Sequence, residues 1–239
     1  MSTKHKIMVL IPTYNEEKTI GEVIKGVKEN LPLADIVVVD GESTDSTREK
    51  ARSLGAVVLE VSQSLGIGGG VETGFRFADL RGYDTVIRVD GDAQHNPKEI
   101  GKLMEAVLNG RADIAIGSRY VRQGDYKASL PRMLNTKLFS LIVSGIIRQK
   151  ISDTTSGFQV LSREVVSFFS RNYLFDYSEV EALVLLKKAG FRIAEIPVSM
   201  RERGEGQSSF GLIKGFFYVF AGVLSLAVSL LRRTPRRRV

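Results

Sequence analysis

The chain contains no cysteine. Disulfides and thiolate metal sites are therefore excluded, and the composition fits a reducing compartment. A secretory leader is not visible either. The opening MSTKHKIMVLIPTYNEE has five apolar residues in a row before Pro12, too few for a signal-peptide core. There is no internal repeat and no low-complexity linker. A basic face spread over the domain is also missing. The net charge of +7 falls to +2 once the five tail arginines (Arg232, Arg233, Arg236, Arg237 and Arg238) are set aside. That local tail argues against nucleic acid as a partner.

What is present is an alternation of apolar runs and helical patterns along 239 residues. Ile7–Ile11 reads as a strand stopped by Pro12. Ile20, Val23, Ile24, Val27 and Leu31 then recur at helical spacing. Ile36–Val39 is a second strand, followed by Ser43, Thr44, Asp45 and Ser46 as candidate helix caps. Ala56–Val61 is a third strand. A glycine-rich turn, LGIGGG, leads into a helix near Val71–Leu80. Thr85–Val89 is a fourth strand. Asn96-Pro97 opens a helix to about Leu108, and Asp113–Ile116 is a fifth strand. Beyond Arg119 a helix over Pro131–Ile147, a turn into a strand at Ser156–Val160, a helix over Tyr177–Ala189 and a strand over Phe191–Val198 are expected. Strands alternating with helices give right-handed crossovers and a parallel sheet. Runs such as IVVV place that sheet between two helix layers.

Ligands of such sheets bind beyond the carboxyl ends of the strands. Four polar clusters fall there: PTYNEE, DGESTD, DGDAQH and GSRY. In the third, Asp90, Asp92 and Gln94 occupy alternate positions. If the backbone stays extended, they share one face. Two close carboxylates repel unless a cation or protons lie between them. Oxygen ligands suit Mg²⁺ or Mn²⁺ completed by substrate phosphates. A lone DxD would be read as a solvated turn in which Asp92 and Asn96 cap the next helix. The three other polar strand ends favour the metal reading. LGIGGG leaves two readings open, a phosphate cradle at a helix N-terminus or close strand–helix packing. It does not fit the GxGxxG of nicotinamide sites: the sixth position is Val71 counted from Gly66 and Thr73 counted from Gly68.

In order along the chain stand IPTYNEE, VVVDGESTDST, LGIGGGVETGFRFA, VDGDAQHNP, GSRY, TSGFQV and AEIPVSMRERGEGQSS, covering most of residues 7–210. Together they resemble the family-2 glycosyltransferases of the GT-A fold, in particular the dolichol- and polyprenyl-phosphate sugar synthases. The resemblance implies an α/β, Rossmann-like fold with a mostly parallel central sheet and helices on both faces. It also implies a nucleoside-diphosphate sugar donor, a divalent Mg²⁺ or Mn²⁺, and transfer with inversion to an acceptor that is often a lipid phosphate.

The resemblance places Pro12, Tyr14, Glu16 and Asp40 around the nucleoside. Asp92 and Gln94 correspond to metal ligands, with Asp90 beside them on the metal or the ribose. Arg119 corresponds to an acceptor-phosphate ligand, and Arg132 and Thr136 keep the arginine–hydroxyl spacing of the lipid-phosphate members. Arg203 begins an RxxGxS pattern with Gly206 and Ser208 on a loop that closes over the diphosphate. Arg119, Arg203 and Asp92 are thereby the candidate catalytic residues. An arginine on that loop suits a leaving diphosphate that gains charge. Two departures stand out: Asp40 is followed by Gly41 rather than a second acid, and Ser209 replaces the usual lysine.

His95 is expected to cap or pack beside Pro97. Glu179 and Glu181 read as surface charge more readily than as a base, and Asp153 is a lesser base candidate. Residues 1–210 form the expected catalytic domain, and residues 211–239 a hydrophobic helix with a basic tail. Gly215–Leu231 is uncharged over 17 residues. At about 1.5 Å per residue it reaches roughly 26 Å, short of a bilayer core of about 30 Å. It is apolar all round, and the arginines behind it suit anionic headgroups. Membrane association at the cytoplasmic face is expected, with a membrane-protein partner or a homo-oligomer through that helix as the other way to cover it. LFSLIVSGII suits either a core helix or the lining of an acceptor groove. Competing functions are transfer to a saccharide hydroxyl, a sugar nucleotidyltransferase, and a non-catalytic nucleotide-binding membrane partner.

Overall fold

The computed structural model describes residues 5–120, 130–172 and 179–201. The elements run β1 (Ile7–Thr13), α1 (Ile20–Asn30), β2 (Asp35–Asp40), α2 (Thr47–Ser53), β3 (Val57–Glu60), α3 (Gly66–Arg81), β4 (Thr85–Arg88), α4 (Ile100–Leu108), β5 (Ile114–Ser118), α5 (Leu130–Ile147), β6 (Gln159–Ser162), α6 (Arg163–Asn172), α7 (Glu179–Ala189) and β7 (Ile193–Pro197). They build a seven-stranded sheet in the order β3-β2-β1-β4-β6-β5-β7. The pairs β1–β2, β1–β4, β2–β3 and β5–β7 are parallel. β6 runs antiparallel to both β4 and β5. Among the described residues the sheet is mostly parallel, with one reversed strand, β6, between β4 and β5.

Alternation along the strands divides the core between the two faces. Met8 and Leu10 of β1, with Val37 and Val39 of β2, face a cluster with α3, α5, α6 and α7. Val9 and Ile11, with Ile36 and Val38, face α1 and α4. Both faces are therefore covered, which explains the unbroken apolar runs. α1 buries Ile20, Val23, Ile24 and Val27, as its spacing predicts.

Several details depart from expectation. β1 does not stop at Pro12 but runs on to Thr13. The Leu10 carbonyl accepts from the Val89 N–H on the β4 side, and the period of two puts Pro12 on that same edge. β4 has already ended at Arg88, so the N–H that proline lacks has no ladder partner to serve. The glycine-rich LGIGGG is also not a turn: α3 begins at Gly66. Absence of side chains lets this helix lie directly on the sheet. A Cβ on Gly74 would come 2.3 Å from Cδ1 of Leu10. Close packing is therefore what the structure shows for Gly74, beyond that motif; a Cβ on Gly70 would reach Val39 Cγ1 at an ordinary 3.7 Å, and one on Gly66 would meet nothing within 4 Å. α6 was not anticipated. It follows β6 without a break and buries Val165, Val166, Phe168 and Phe169, with Phe169 stacked on Phe75 of α3 at 5.4 Å.

Among the described residues, no helix is long and apolar enough to cross a membrane. The 215–231 stretch, the basic tail and Arg203 lie outside the described residues, so the expectations placed on them are neither met nor overturned here.

Candidate active site

The loops after β1 and β2 are bonded to each other. The Asn15 N–H donates to Ser43 Oγ at 2.8 Å, the Thr44 N–H to Asn15 Oδ1 at 2.8 Å, and the Glu16 N–H to Thr47 Oγ1 at 2.9 Å. Asn15 takes a left-handed φ of 55° to make this junction. Asp45 caps α2, although the N-cap position itself is Ser46. Its carboxylate accepts from the Thr47 N–H and hydroxyl and, across the junction, from the Glu17 N–H. Burial works to raise the pKa of Asp45, but these hydrogen bonds outweigh it and leave the group below the usual value.

Asp40 lies beneath this junction with no exposed surface. Its oxygens accept from the Ser43 N–H at 2.9 Å, the Ser43 hydroxyl at 2.6 Å and the Thr13 hydroxyl at 3.1 Å. It shapes the loop from below and presents no surface to a nucleoside. Tyr14 is 44% exposed on the same loop, beside Pro12 and Glu16.

The acidic turn follows β4. Asp90, Asp92 and Gln94 are not held together by strand alternation, because β4 ends at Arg88 and the chain turns from Gly91. Ala93 adopts φ 60°, and the Gln94 N–H donates to Asp92 Oδ1 at 3.1 Å. The three residues therefore sit on a turn rather than on one face of an extended strand. It packs closely against β1. A Cβ on Gly91 would lie 2.8 Å from Thr13 Cγ2 and 3.4 Å from both Glu16 Cγ and the Pro12 carbonyl.

Asp90 is surrounded by placed groups. Its N–H donates to Nδ1 of His95 at 3.0 Å, and its carboxylate faces His95 Nε2 and Arg88 Nη2, each at 3.6 Å. Burial pushes the His95 pKa below its usual value, against the raising effect of Asp90 and Asp92. The ring also stacks on Phe158 at 4.9 Å. His95 thus has a packing role, with Phe158 as its stacking partner rather than the Pro97 that the sequence suggested. Arg88 is a guanidinium inside an otherwise apolar strand, and it pairs with Glu179 at 2.8 Å. Glu179 is therefore an ion-pair partner rather than plain surface charge. Glu181, 1% exposed, is buried as well.

Arg119, at the end of β5, has a side chain only 6% exposed. Its Nε and Nη2 donate to the two oxygens of Asp153 at 2.7 and 2.8 Å, and Nη2 also reaches Thr155 Oγ1 at 3.3 Å. The Asp153 carboxylate has no exposed surface. It is consumed as a partner of Arg119, which corrects its reading as a base. Removing one member of such a buried pair costs about 3–5 kcal/mol, since the other charge is left uncompensated. Thr136 is buried in α5. Arg132 is on the same helix, and its side chain lies outside the described residues.

One glycine joins the two halves. A Cβ on Gly157, of TSGF, would come 2.6 and 2.7 Å from the oxygens of Asp90. Contacts thus run without a break from Pro12 and Glu16 through Gly91 and Asp90 to Gly157, in the segment that holds Arg119. The acidic turn is also bonded to Arg201, the last described residue: the Arg201 N–H donates to the Gln94 carbonyl at 2.8 Å. Sequence reasoning missed Arg88, Gly157 and the pairing of Asp153. A charge inside TVIRV and an acid just before TSGF were the available signals.

The donor set fits a hard divalent ion. Among the described residues no three His, Cys, Asp or Glu side chains form a complete metal cage. Two carboxylates and an amide oxygen on one turn are nevertheless the donor types that Mg²⁺ or Mn²⁺ takes alongside substrate phosphates.

Residues 8–169 match the family described as Glycosyl transferase family 2, and the chain belongs to that family. The polyprenol monophosphomannose synthase of Mycolicibacterium smegmatis is 30% identical over 217 residues, which cover 85% of this chain and 80% of that protein. The undecaprenyl-phosphate mannosyltransferase of Micrococcus luteus is 30% identical over 223 residues, 87% of this chain and 89% of that one. A crystal structure of glucosyl-3-phosphoglycerate synthase from Mycobacterium tuberculosis, in complex with Mn²⁺ and uridine-diphosphate-glucose, aligns with a TM-score of 0.69 at 22% identity. It covers 93% of this chain and 79% of that one. That likeness is one of fold.

Proposed function

We propose that this glycosyltransferase moves a sugar, with inversion, from a nucleoside-diphosphate sugar to a polyprenyl or dolichyl phosphate, or another lipid-linked acceptor, at the cytoplasmic face of a membrane. The observation that carries the reading is the unbroken contact line from the β1 loop through Asp90 to the Arg119 segment. It supports a reading in which the nucleotide lies along that edge and the acceptor phosphate beside Arg119. The relatives named for polyprenol and undecaprenyl phosphate support the acceptor class.

Pro12, Tyr14 and Glu16 hold the nucleoside, on a loop shaped by Asp40. Asp90, Asp92 and Gln94 would hold Mg²⁺ or Mn²⁺, which when bound neutralises the charge of the diphosphate. Arg203 then closes on the leaving diphosphate, two residues beyond the Arg201 contact. Arg119, with Arg132 and Thr136, binds the acceptor phosphate and aims one of its oxygens at the anomeric carbon. A phosphate oxygen is ionised at neutral pH and needs no strong base. The base candidates support this choice of acceptor: Asp153 is paired with Arg119, Glu179 with Arg88, and Glu181 is buried.

The test is transfer of labelled sugar from a panel of nucleoside-diphosphate sugars into organic-extractable lipid, with polyprenyl phosphate supplied. Transfer should require added Mg²⁺ or Mn²⁺ and stop with a chelator. No transfer from any donor, or transfer indifferent to the chelator, would overturn the reading.

A further inference from the structure

The guanidinium of Arg119 is held by Asp153, and Asp153 is itself held from the edge strand. Glu195 of β7 accepts from two successive backbone amides: the Ser152 N–H at 2.8 and 2.9 Å to its two oxygens, and the Asp153 N–H at 2.7 Å. The preceding residue is fixed from the opposite side. The Ile151 N–H donates to Ser144 Oγ at 3.0 Å, and the Ile151 carbonyl accepts from the Ser140 hydroxyl at 2.5 Å. Gripping consecutive amides sets the peptide planes on both sides of Ser152, and with them the direction in which Asp153 leaves the chain. Asp153 then meets Arg119 at three donors: Nε, Nη2 and the Arg119 N–H itself, the last at 3.2 Å.

We propose that Glu195 is a positioning residue for the acceptor-phosphate subsite, setting the Asp153 carboxylate that orients Arg119. This rests on the reading of Arg119 as a ligand of the acceptor phosphate. Glu195 touches no substrate in this scheme.

Charge and position predict opposite signs, which makes the inference testable. Arg119, Asp153 and Glu195 together carry one positive and two negative charges. If Glu195 acted only through its charge, neutralising it would favour an incoming phosphate. If it positions Arg119, neutralising it weakens phosphate binding. Glu195→Gln keeps the shape and one acceptor oxygen but turns an NH₂ donor toward the amide donors.

The experiment is steady-state kinetics with polyprenyl phosphate varied at saturating donor, for the wild type, Glu195→Gln, Arg119→Lys and the double variant. Donor affinity in the presence of Mn²⁺, measured by calorimetry, reports an intact fold and donor site. Glu195→Gln should raise the acceptor KM about tenfold, roughly the net worth of one hydrogen bond, with donor affinity unchanged. Arg119→Lys should raise it at least as much, and the double variant should be no worse than Arg119→Lys alone, since the two act in series. Glu195→Asp keeps the charge but shortens the reach, and should shift the KM in the same direction. An unchanged or lowered acceptor KM in Glu195→Gln overturns the inference, as do additive losses in the double variant. Loss of donor binding in both Glu195 variants also overturns it, because the residue then holds the fold rather than the subsite. An unchanged acceptor KM in Arg119→Lys instead removes the underlying assignment of Arg119.

Discussion

The carboxylate of Asp90 lies against the bare α-carbon of Gly157, where a Cβ would stand 2.6 and 2.7 Å from its two oxygens. The acidic turn after β4 and the segment after α5 approach this closely only because residue 157 has no side chain. Gly157→Ala should push Asp90 out of place and lower metal-dependent affinity for a nucleoside diphosphate by about tenfold or more, about 1.4 kcal/mol. The fold should tolerate the change, because the displaced group is the end of a flexible side chain. Calorimetry with Mn²⁺ checks the first statement and thermal unfolding the second. Wild-type affinity in the variant would contradict the placement of Asp90.

Glu179 separates a surface charge from a structural one. Plain surface substitutions stay within about 0.5 kcal/mol. Glu179 instead faces Arg88, whose side chain is 4% exposed. Glu179→Gln should destabilise the fold by about 1–3 kcal/mol, as a buried charge loses its closer partner. Asp90, 3.6 Å from Arg88, keeps the loss below that of an isolated buried charge. Urea unfolding measures it.

Tyr83 supplies a pH signature of folding. Its hydroxyl donates to Asp35 at 2.9 Å, and burial together with this bond pushes its pKa up to about 12. The unfolded value is about 10, so the folded state keeps the proton longer. The stabilisation is complete below about pH 10 and is lost as pH rises toward 12. Tyr83→Phe should therefore lose less stability than the wild type between pH 10 and 12. Parallel loss in the two proteins would contradict the assignment.

The stretch from Gly215 to Leu231 and the five arginines behind it carry the membrane expectation. Deleting 215–239 should release the protein from liposomes while donor binding persists, because the proposed donor residues, Pro12 to Gln94 and Arg203, all precede the deleted stretch. Replacing only the arginines should weaken flotation with anionic vesicles, at about 1 kcal/mol per residue near the surface. A truncated chain that still floats would move attention to α5, whose Leu141 is 72% exposed.

Much of the fold was legible because covered strands and amphipathic helices have distinct periods. α1 and the IVVV strand are examples. What escaped depended on long-range partners. The reversed β6 is short and pairs with strands far away in sequence, so local pattern carries no direction for it. α6 begins where β6 ends: Ser162 closes the strand and stands directly before Arg163, so no loop, glycine or proline separates the two elements. The sequence pattern placed Asp90, Asp92 and Gln94 on an extended strand, whereas the chain turns there with Ala93 at positive φ, a bend that no local periodicity signals. Asp40 was legible as important but not as buried, since its partners Thr13 and Ser43 are set by the β1–β2 junction. Glu195 read as one letter of AEIPV. Its grip on the amides of Ser152 and Asp153 arises only when the edge strand meets the loop before β6.

The central claim is that the acceptor is a lipid phosphate, with Arg119 beside it and no side-chain base required. Mass spectrometry of reactions given either polyprenyl phosphate or the matching unphosphorylated polyprenol tests it most directly, each with a nucleoside-diphosphate sugar and Mn²⁺. The account predicts a product of one sugar joined to the phosphate, none on the alcohol, and a loss of product in Arg119→Lys that raising the polyprenyl phosphate concentration restores. Sugar on the polyprenol, or sugar only on an added saccharide hydroxyl, would contradict it.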